Sequence, residues 1–240
     1  MPYFKRDDIN IYYEESGQGF PVLLFAAGGM NSAMGFWEKG SYNPITKLAG
    51  EFRVIAMDQR NAPSGQSTAP VTAGDGWHSY TEDHVALLDH LGIERCHIIG
   101  QCIGGPYGFG LIQAAPKRVA SFVAMQTIGL ENNREAFYQM FDNWAGTLRK
   151  QRDDVTEEAL GPFRSAMYDG DFLFNVSREF IRECPAPLLV LMGKDLYHPE
   201  STSREVARLA PDATLIEAWK EPEHADATHA AIAGFLRRHS

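Results

Sequence analysis

A chain of 240 residues with 44% hydrophobic and 22% charged residues has the composition of a soluble globular domain and can bury a large core. Its net charge of −9, from 22 basic and 31 acidic residues, comes without a basic stripe, which excludes nucleic acid as an expected partner. No apolar run approaches the roughly 18–20 residues of a membrane span. The segment Met1 to Asp8 is charged and has no apolar signal region. The three cysteines, Cys96, Cys102 and Cys184, have neither disulfide nor zinc spacing and suit a reducing cytoplasm.

In chain order, Tyr3 to Lys5 and Ile9 to Glu14 read as an antiparallel pair, and Ser16-Gly17-Gln18-Gly19 as a turn. Pro21 to Phe25 is a continuous apolar strand of the kind buried on both faces. It leads into a small-residue loop, Ala26 to Ser32. Arg53 to Met57 is a second buried strand, followed by a turn-rich loop from Asp58 to about Trp77. Ser79-Tyr80-Thr81-Glu82 reads as a capping box that opens a helix burying Val85, Leu88 and Leu91 and closed by Gly92. Asp83 and Asp89 on that helix are expected at its surface. A strand at Cys96 to Ile99, a helix from Ile103 to Ala115, and strands at Val119 to Met125, Leu188 to Met192 and Ala213 to Ala218 follow. A helix from about Ala225 to Arg238 ends the sequence. This alternation predicts an α/β fold with a mostly parallel central sheet and helices on both faces.

Residues 127–182 break the rhythm. They hold no strand pattern but many helix formers and large apolar groups, including Phe137, Met140, Phe141, Trp144, Phe163 and Phe172. The expectation is a core of residues 1–126 and 183–240 with a helical cap inserted at 127–182. An ordinary helical insertion packed on the core is the alternative.

Gly100-Gln101-Cys102-Ile103-Gly104-Gly105 sits between a strand and a helix and matches the G-x-S-x-G nucleophile elbow with cysteine in place of serine. Side chains at the flanking glycine positions would collide with backbone in so tight a turn. The helix that follows aims amides and its positive dipole end at the tip, where a thiolate is stabilised. On the motif alone, Cys102 is either a nucleophile or a small core residue.

With the elbow on the page, the chain resembles the α/β-hydrolase superfamily along essentially its whole length. The small-residue loop at Ala26 to Met30 stands where relatives carry an oxyanion loop that usually begins His-Gly. Asp58-Gln59-Arg60-Asn61-Ala62, then Gly65-Gln66-Ser67, resembles the family's Asp-x-Arg-(Gly/Asn)-x-Gly-x-Ser loop with two extra residues. Pro187 to Asp195 stands where relatives carry the catalytic acid, one residue shorter after Gly193. His224 follows the last strand, where relatives carry the catalytic histidine, although Glu223 replaces the usual glycine before it. The resemblance implies a short helical cap and a triad in the order Cys102, Asp195, His224. Cys102 would attack, His224 would handle the proton, and Asp195 would fix the imidazole. The amide of Ile103, with one from Gly28 or Gly29, would bind the oxyanion. His229 is the rival histidine, placed inside the last helix.

The elbow resembles the dienelactone-hydrolase version, whereas the N-terminal half resembles the capped esterase and epoxide-hydrolase branch. The expected reaction is hydrolysis of a carboxylic ester or lactone through an acyl-thioester. Acyl transfer through the same triad, or a non-hydrolytic lyase or ligand-binding role, stays open. The expected partner is a small molecule with an apolar portion; no membrane partner is expected, and a homo-oligomer stays open. No cofactor is implied, and His78, His84, His90 and His97 show no ligand spacing for a metal.

Overall fold

In a computed structural model, which describes residues 2–240, eight strands form one sheet in the order β1-β2-β4-β3-β5-β6-β7-β8. The strands are β1 (Tyr3–Arg6), β2 (Ile9–Ser16), β3 (Pro21–Phe25), β4 (Arg53–Met57), β5 (Cys96–Gln101), β6 (Val119–Met125), β7 (Leu188–Leu191) and β8 (Ala213–Ile216). The pairings β1–β2 and β2–β4 are antiparallel, and every later pairing is parallel. The helices are α1 (Pro44–Leu48), α2 (Trp77–His90), α3 (Gly104–Ala114), α4 (Arg134–Gln151), α5 (Glu157–Tyr168), α6 (Arg178–Arg182), α7 (Glu200–Leu209) and α8 (Ala225–His239).

The central parallel strands are mostly apolar because both sheet faces are covered, whereas β1 and β2 at the edge carry charged residues. Leu23, Phe25, Ile55, Ile98, Phe122 and Val190 point into one buried cluster, together with residues of α2, α3, α4 and α5. Their neighbours Val22, Leu24, Val54, Ile99, Val123 and Leu191 point into a second, with Trp37, Trp219 and the inner side of α8. Strand alternation with period two therefore assigns each residue to a face.

The parallel strands bring their C-terminal ends to one edge, where the loops after β3, β5, β6 and β7 converge. An open parallel sheet places its chemistry at that edge. Between β6 and β7 the chain runs through α4, α5 and α6. These helices join the core rather than standing off it. Trp77 Nε1 donates to the Met167 carbonyl at 2.7 Å, and Trp144 Nε1 to the Asn61 carbonyl at 2.9 Å. Arg152 adds bonds to Asn61 Oδ1 and the Ala69 carbonyl.

Two expectations for α2 are corrected. The helix begins at Trp77, one turn's edge before the expected cap. Ser79 instead lies inside the first turn, where its hydroxyl donates to Asp75 Oδ1 at 2.8 Å and accepts from the Gly76 amide at 3.4 Å. Asp83 is 1% exposed rather than at the surface, because Arg60 reaches it from the β4 loop with Nε–Oδ2 2.7 Å and Nη2–Oδ1 2.8 Å. Asp75 takes a third bond from Arg60 at 3.2 Å, so the guanidinium charge is shared between two buried carboxylates. Among the described residues, no helix is long and apolar enough to cross a membrane.

Candidate active site

The turn at Gly100 to Gly104 is closed by contact. A Cβ on Gly100 would overlap the Gly104 carbonyl, and one on Gly104 would overlap the Phe25 carbonyl of the neighbouring strand. Between them Cys102 holds a φ of 60°, a left-handed conformation that a non-glycine residue adopts only when its surroundings impose it. They do so through backbone bonds: the Cys102 amide donates to Met125 O at 3.1 Å, and its carbonyl accepts from Gly105 N at 3.0 Å and Ile128 N at 3.2 Å. The thiol is thereby lifted off the end of β5, partly exposed, while Cys96 and Cys184 are buried.

Two amides face the sulfur, those of Ile103 and Gly28. Ile103 is the first residue after Cys102 and caps α3. Gly28 reaches the site because its φ of 123° is open to glycine alone. Gly29 lies beside it at φ 58°, with the Met140 sulfur of α4 filling the space a side chain would need. The loop that carries these glycines lacks the family's histidine at Ala26-Ala27, and other groups brace it. Ser32 Oγ donates to the Ala26 carbonyl at 2.7 Å, and Asp58 Oδ1 accepts from Met34 N at 2.9 Å. Asp58 Oδ2 also takes the Gln66 amide at 2.7 Å, so one buried carboxylate ties this loop to its own.

His224 is not the histidine that the fold brings to Cys102. It ends a short 3-10 turn, Pro222–His224, at the start of α8, half-buried, with its amide on the Glu221 carbonyl at 2.9 Å. It makes no side-chain hydrogen bond or ion pair among the described residues. The connection from β8 sends Trp219 inward instead, and its Nε1 donates to the Met192 carbonyl at 2.9 Å. His229 lies against Tyr42, with Nδ1 3.2 Å from the hydroxyl.

The histidine beside Cys102 is His198, 8% exposed, in the β7–α7 loop. Its Nδ1 is 2.7 Å from Asp195 Oδ1, and the same oxygen accepts the amides of Tyr197 at 3.0 Å and His198 at 3.2 Å. A carboxylate can only accept, so Nδ1 carries the proton and Nε2 is turned to the sulfur. Nε2 is buried and makes no hydrogen bond among the described residues, and Cys102 is the ionisable group nearest that face of the ring. The turn is made by local means. Reciprocal backbone bonds join Asp195 and His198 at 3.3 and 3.1 Å, and Pro199 keeps His198 extended. Gly193 lets the His198 side chain fold against it.

The three groups shift one another. Burial pushes the Cys102 thiol up, but His198 and the Ile103 and Gly28 amides outweigh it, and the thiol titrates below its ordinary value. Burial likewise pushes His198 down, but the neighbouring thiolate and Asp195 hold it above the usual imidazole range. Burial raises Asp195, and its bonds from His198 and Tyr197 bring it below an ordinary carboxyl. The thiol and the imidazole thus shift toward one another, each charged form favoured by the other.

His198 had only a positional cue in the sequence. It stands three residues after Asp195, just before a proline and just after a buried strand, where parallel strands present their chemistry. The family position points to His224, and the rival beside it is His229, not His198.

A sheet of this topology with a cysteine elbow at the end of its fifth strand defines an α/β-hydrolase architecture. The chain belongs to the alpha/beta hydrolase fold family, whose model matches residues 21–186. It is 40% identical over 124 residues to RutD of Azorhizobium caulinodans, provisionally named a carbamate hydrolase, a match covering 50% of this chain and 42% of that one. It is 30% identical over 223 residues to the dihydrolipoyllysine-residue acetyltransferase component of the acetoin cleaving system of Pseudomonas putida, covering 80% and 58%. The chain thus spans about half the length of these curated relatives. Among solved structures, the meta-cleavage product hydrolase of Pseudomonas fluorescens IP01 superposes with a TM-score of 0.72 at 21% identity, covering 97% of this chain and 96% of that one. The enol-lactonase of Burkholderia xenovorans LB400 gives 0.71 at 20%, covering 98% and 100%.

Proposed function

We propose that this protein is a hydrolase of carboxylic esters or lactones that works through an acyl-thioester on Cys102, with His198 in the role expected of His224. The observation that carries the reading is the run Asp195–His198–Cys102 beside the amides of Ile103 and Gly28. The Cys102 sulfur attacks the carbonyl carbon, and the carbonyl pair moves onto oxygen, which the two amides stabilise. Donors of this kind contribute about 3–4 kcal/mol to lowering a barrier. When the tetrahedral species collapses, the leaving alkoxide takes the His198 Nε2 proton. Water then attacks the thioester, gives its proton to His198, and expels the thiolate. Asp195 keeps Nδ1 protonated throughout, which fixes the tautomer.

In this reading α4 and α5 act as a cap, with Met140 resting on Gly29, and the aromatic seam beneath them takes an apolar part of the substrate. The relatives' names, hydrolases of a carbamate, a meta-cleavage product and an enol-lactone, support the reaction class. Brief incubation with short-chain p-nitrophenyl esters, followed by intact-mass and peptide mapping, tests it. An acyl adduct on Cys102 that water discharges is expected. Discharge that depends on an added alcohol would make the protein an acyltransferase. Absence of adduct and of nitrophenol from every ester would overturn acyl chemistry at this site and leave the non-hydrolytic reading.

A further inference from the structure

Three tyrosines meet behind the elbow: Tyr80 of α2, Tyr107 of α3 and Tyr168 at the end of α5. They are 1%, 1% and 0% exposed. The rings of Tyr80 and Tyr107 pack at 4.9 Å, and Trp77 bridges Tyr107 and Tyr168 with centroids 5.6 and 6.1 Å away. The Tyr168 hydroxyl has no hydrogen-bond partner among the described residues, and those of Tyr80 and Tyr107 have at most each other, without good geometry. A buried hydroxyl without a well-placed partner is costly, and three in one cluster is not a packing accident. Tyr107 is five residues along from Cys102, and both Tyr107 and Tyr168 lie within the electrostatic reach of its sulfur.

We infer that the Tyr80, Tyr107 and Tyr168 hydroxyls form an acyl subsite that hydrogen-bonds a short, uncharged acyl group carrying its own acceptor oxygen or amide. The inference rests on the acyl-thioester reading and adds the substrate's chemical class. Charge excludes an anionic acyl group. Arg60, the cation over the Tyr80 ring at 5.9 Å, is consumed by Asp83 and Asp75, and Arg134 is turned to the Tyr168 carbonyl. Asp195, the His198 imidazolium and the Cys102 thiolate sum to one negative charge, which opposes another carboxylate. Burial keeps all three phenols protonated, so they remain donors at any working pH. Enclosure among Trp77, Phe137 and Phe174 keeps the acyl chain short.

The test uses two esters of equal length, p-nitrophenyl butyrate and p-nitrophenyl methoxyacetate, which differ by one CH2-to-oxygen exchange. Wild-type protein and the variants Tyr80→Phe, Tyr107→Phe and Tyr168→Phe are compared by kcat/KM and by adduct mass on Cys102. The expected result is a methoxyacetate-to-butyrate ratio that falls about 3- to 10-fold in at least one variant, the size of one net hydrogen bond. The same variant melts at a higher temperature, since an unpartnered buried hydroxyl is gone. A p-nitrophenyl hemisuccinate reacts more slowly than either ester. A ratio unmoved by all three variants, with adduct forming normally from both esters, overturns the subsite alone. A lowered melting temperature with an unmoved ratio assigns the hydroxyls a structural role and overturns it too. No adduct from any ester overturns the acyl-thioester reading and this inference with it.

Discussion

A free cysteine thiol titrates near about 8.5 and is mostly protonated at neutral pH. Cys102 departs from that because a histidine and two amides face its sulfur. Alkylation of Cys102 by iodoacetamide, followed against pH, is expected to keep its rate to lower pH than an ordinary thiol does. In His198→Ala the burial influence is no longer outweighed, and the acid limb moves to higher pH. The profile of kcat/KM is expected to be a bell whose acid limb lies below a free thiol and whose alkaline limb lies above a free imidazole. Both limbs belong to the coupled pair. Below the first the thiolate is protonated; above the second the imidazolium has lost the proton the leaving group needs. The choice of histidine is decided by comparing His198→Ala with His224→Ala. Loss of about 10²- to 10⁴-fold in kcat/KM is expected for the first, as for removal of a general acid–base, and little change for the second. The reverse outcome would return the role to His224.

At the scale of elements, the central strands were legible from their apolar runs, since both faces of the sheet are covered there, and β1 and β2 from their short antiparallel pattern around a turn. The elbow was legible for a different reason: its glycines are imposed by backbone contact, and such a requirement shows directly in residue type. Ile103 and Gly28 were reachable the same way. The Asp195–His198 pairing was not, because a histidine before a proline looks like any loop residue until the turn closes. Asp83 was missed because its partner, Arg60, comes from 23 residues earlier and no helical pattern reveals it. That pair yields a stability prediction. Asp83→Ala leaves a buried guanidinium with one remaining carboxylate, and urea unfolding is expected to show a loss of about 3–5 kcal/mol. Gly104→Ala drives a methyl into the Phe25 carbonyl, so the variant is expected to unfold at lower temperature and to lose nitrophenol release together.

For the molecule as a whole, the insertion at 127–182 contributes Phe137, Phe141, Phe163 and Tyr168 to the same buried cluster as the sheet. Trp77 and Trp144 sit at that seam, bonded across it, while Trp37 and Trp219 lie under the opposite face. Tryptophan emission and far-ultraviolet circular dichroism are therefore expected to report one coincident unfolding transition. A separate, earlier fluorescence change would show that the insertion opens by itself.

Asp195 and His198 are three residues apart, whereas a pairing of Asp195 with His224 would have had to close a loop of 224 − 195 = 29 residues. Closing the shorter span costs about 2 kcal/mol less chain entropy. In the proposed mechanism acid and base therefore travel as one prefabricated part, and the protein has a two-body joining problem where three separate segments would pose a three-body one: β5 must present its sulfur to a single finished turn. In that mechanism the terminal helix has a packing duty alone.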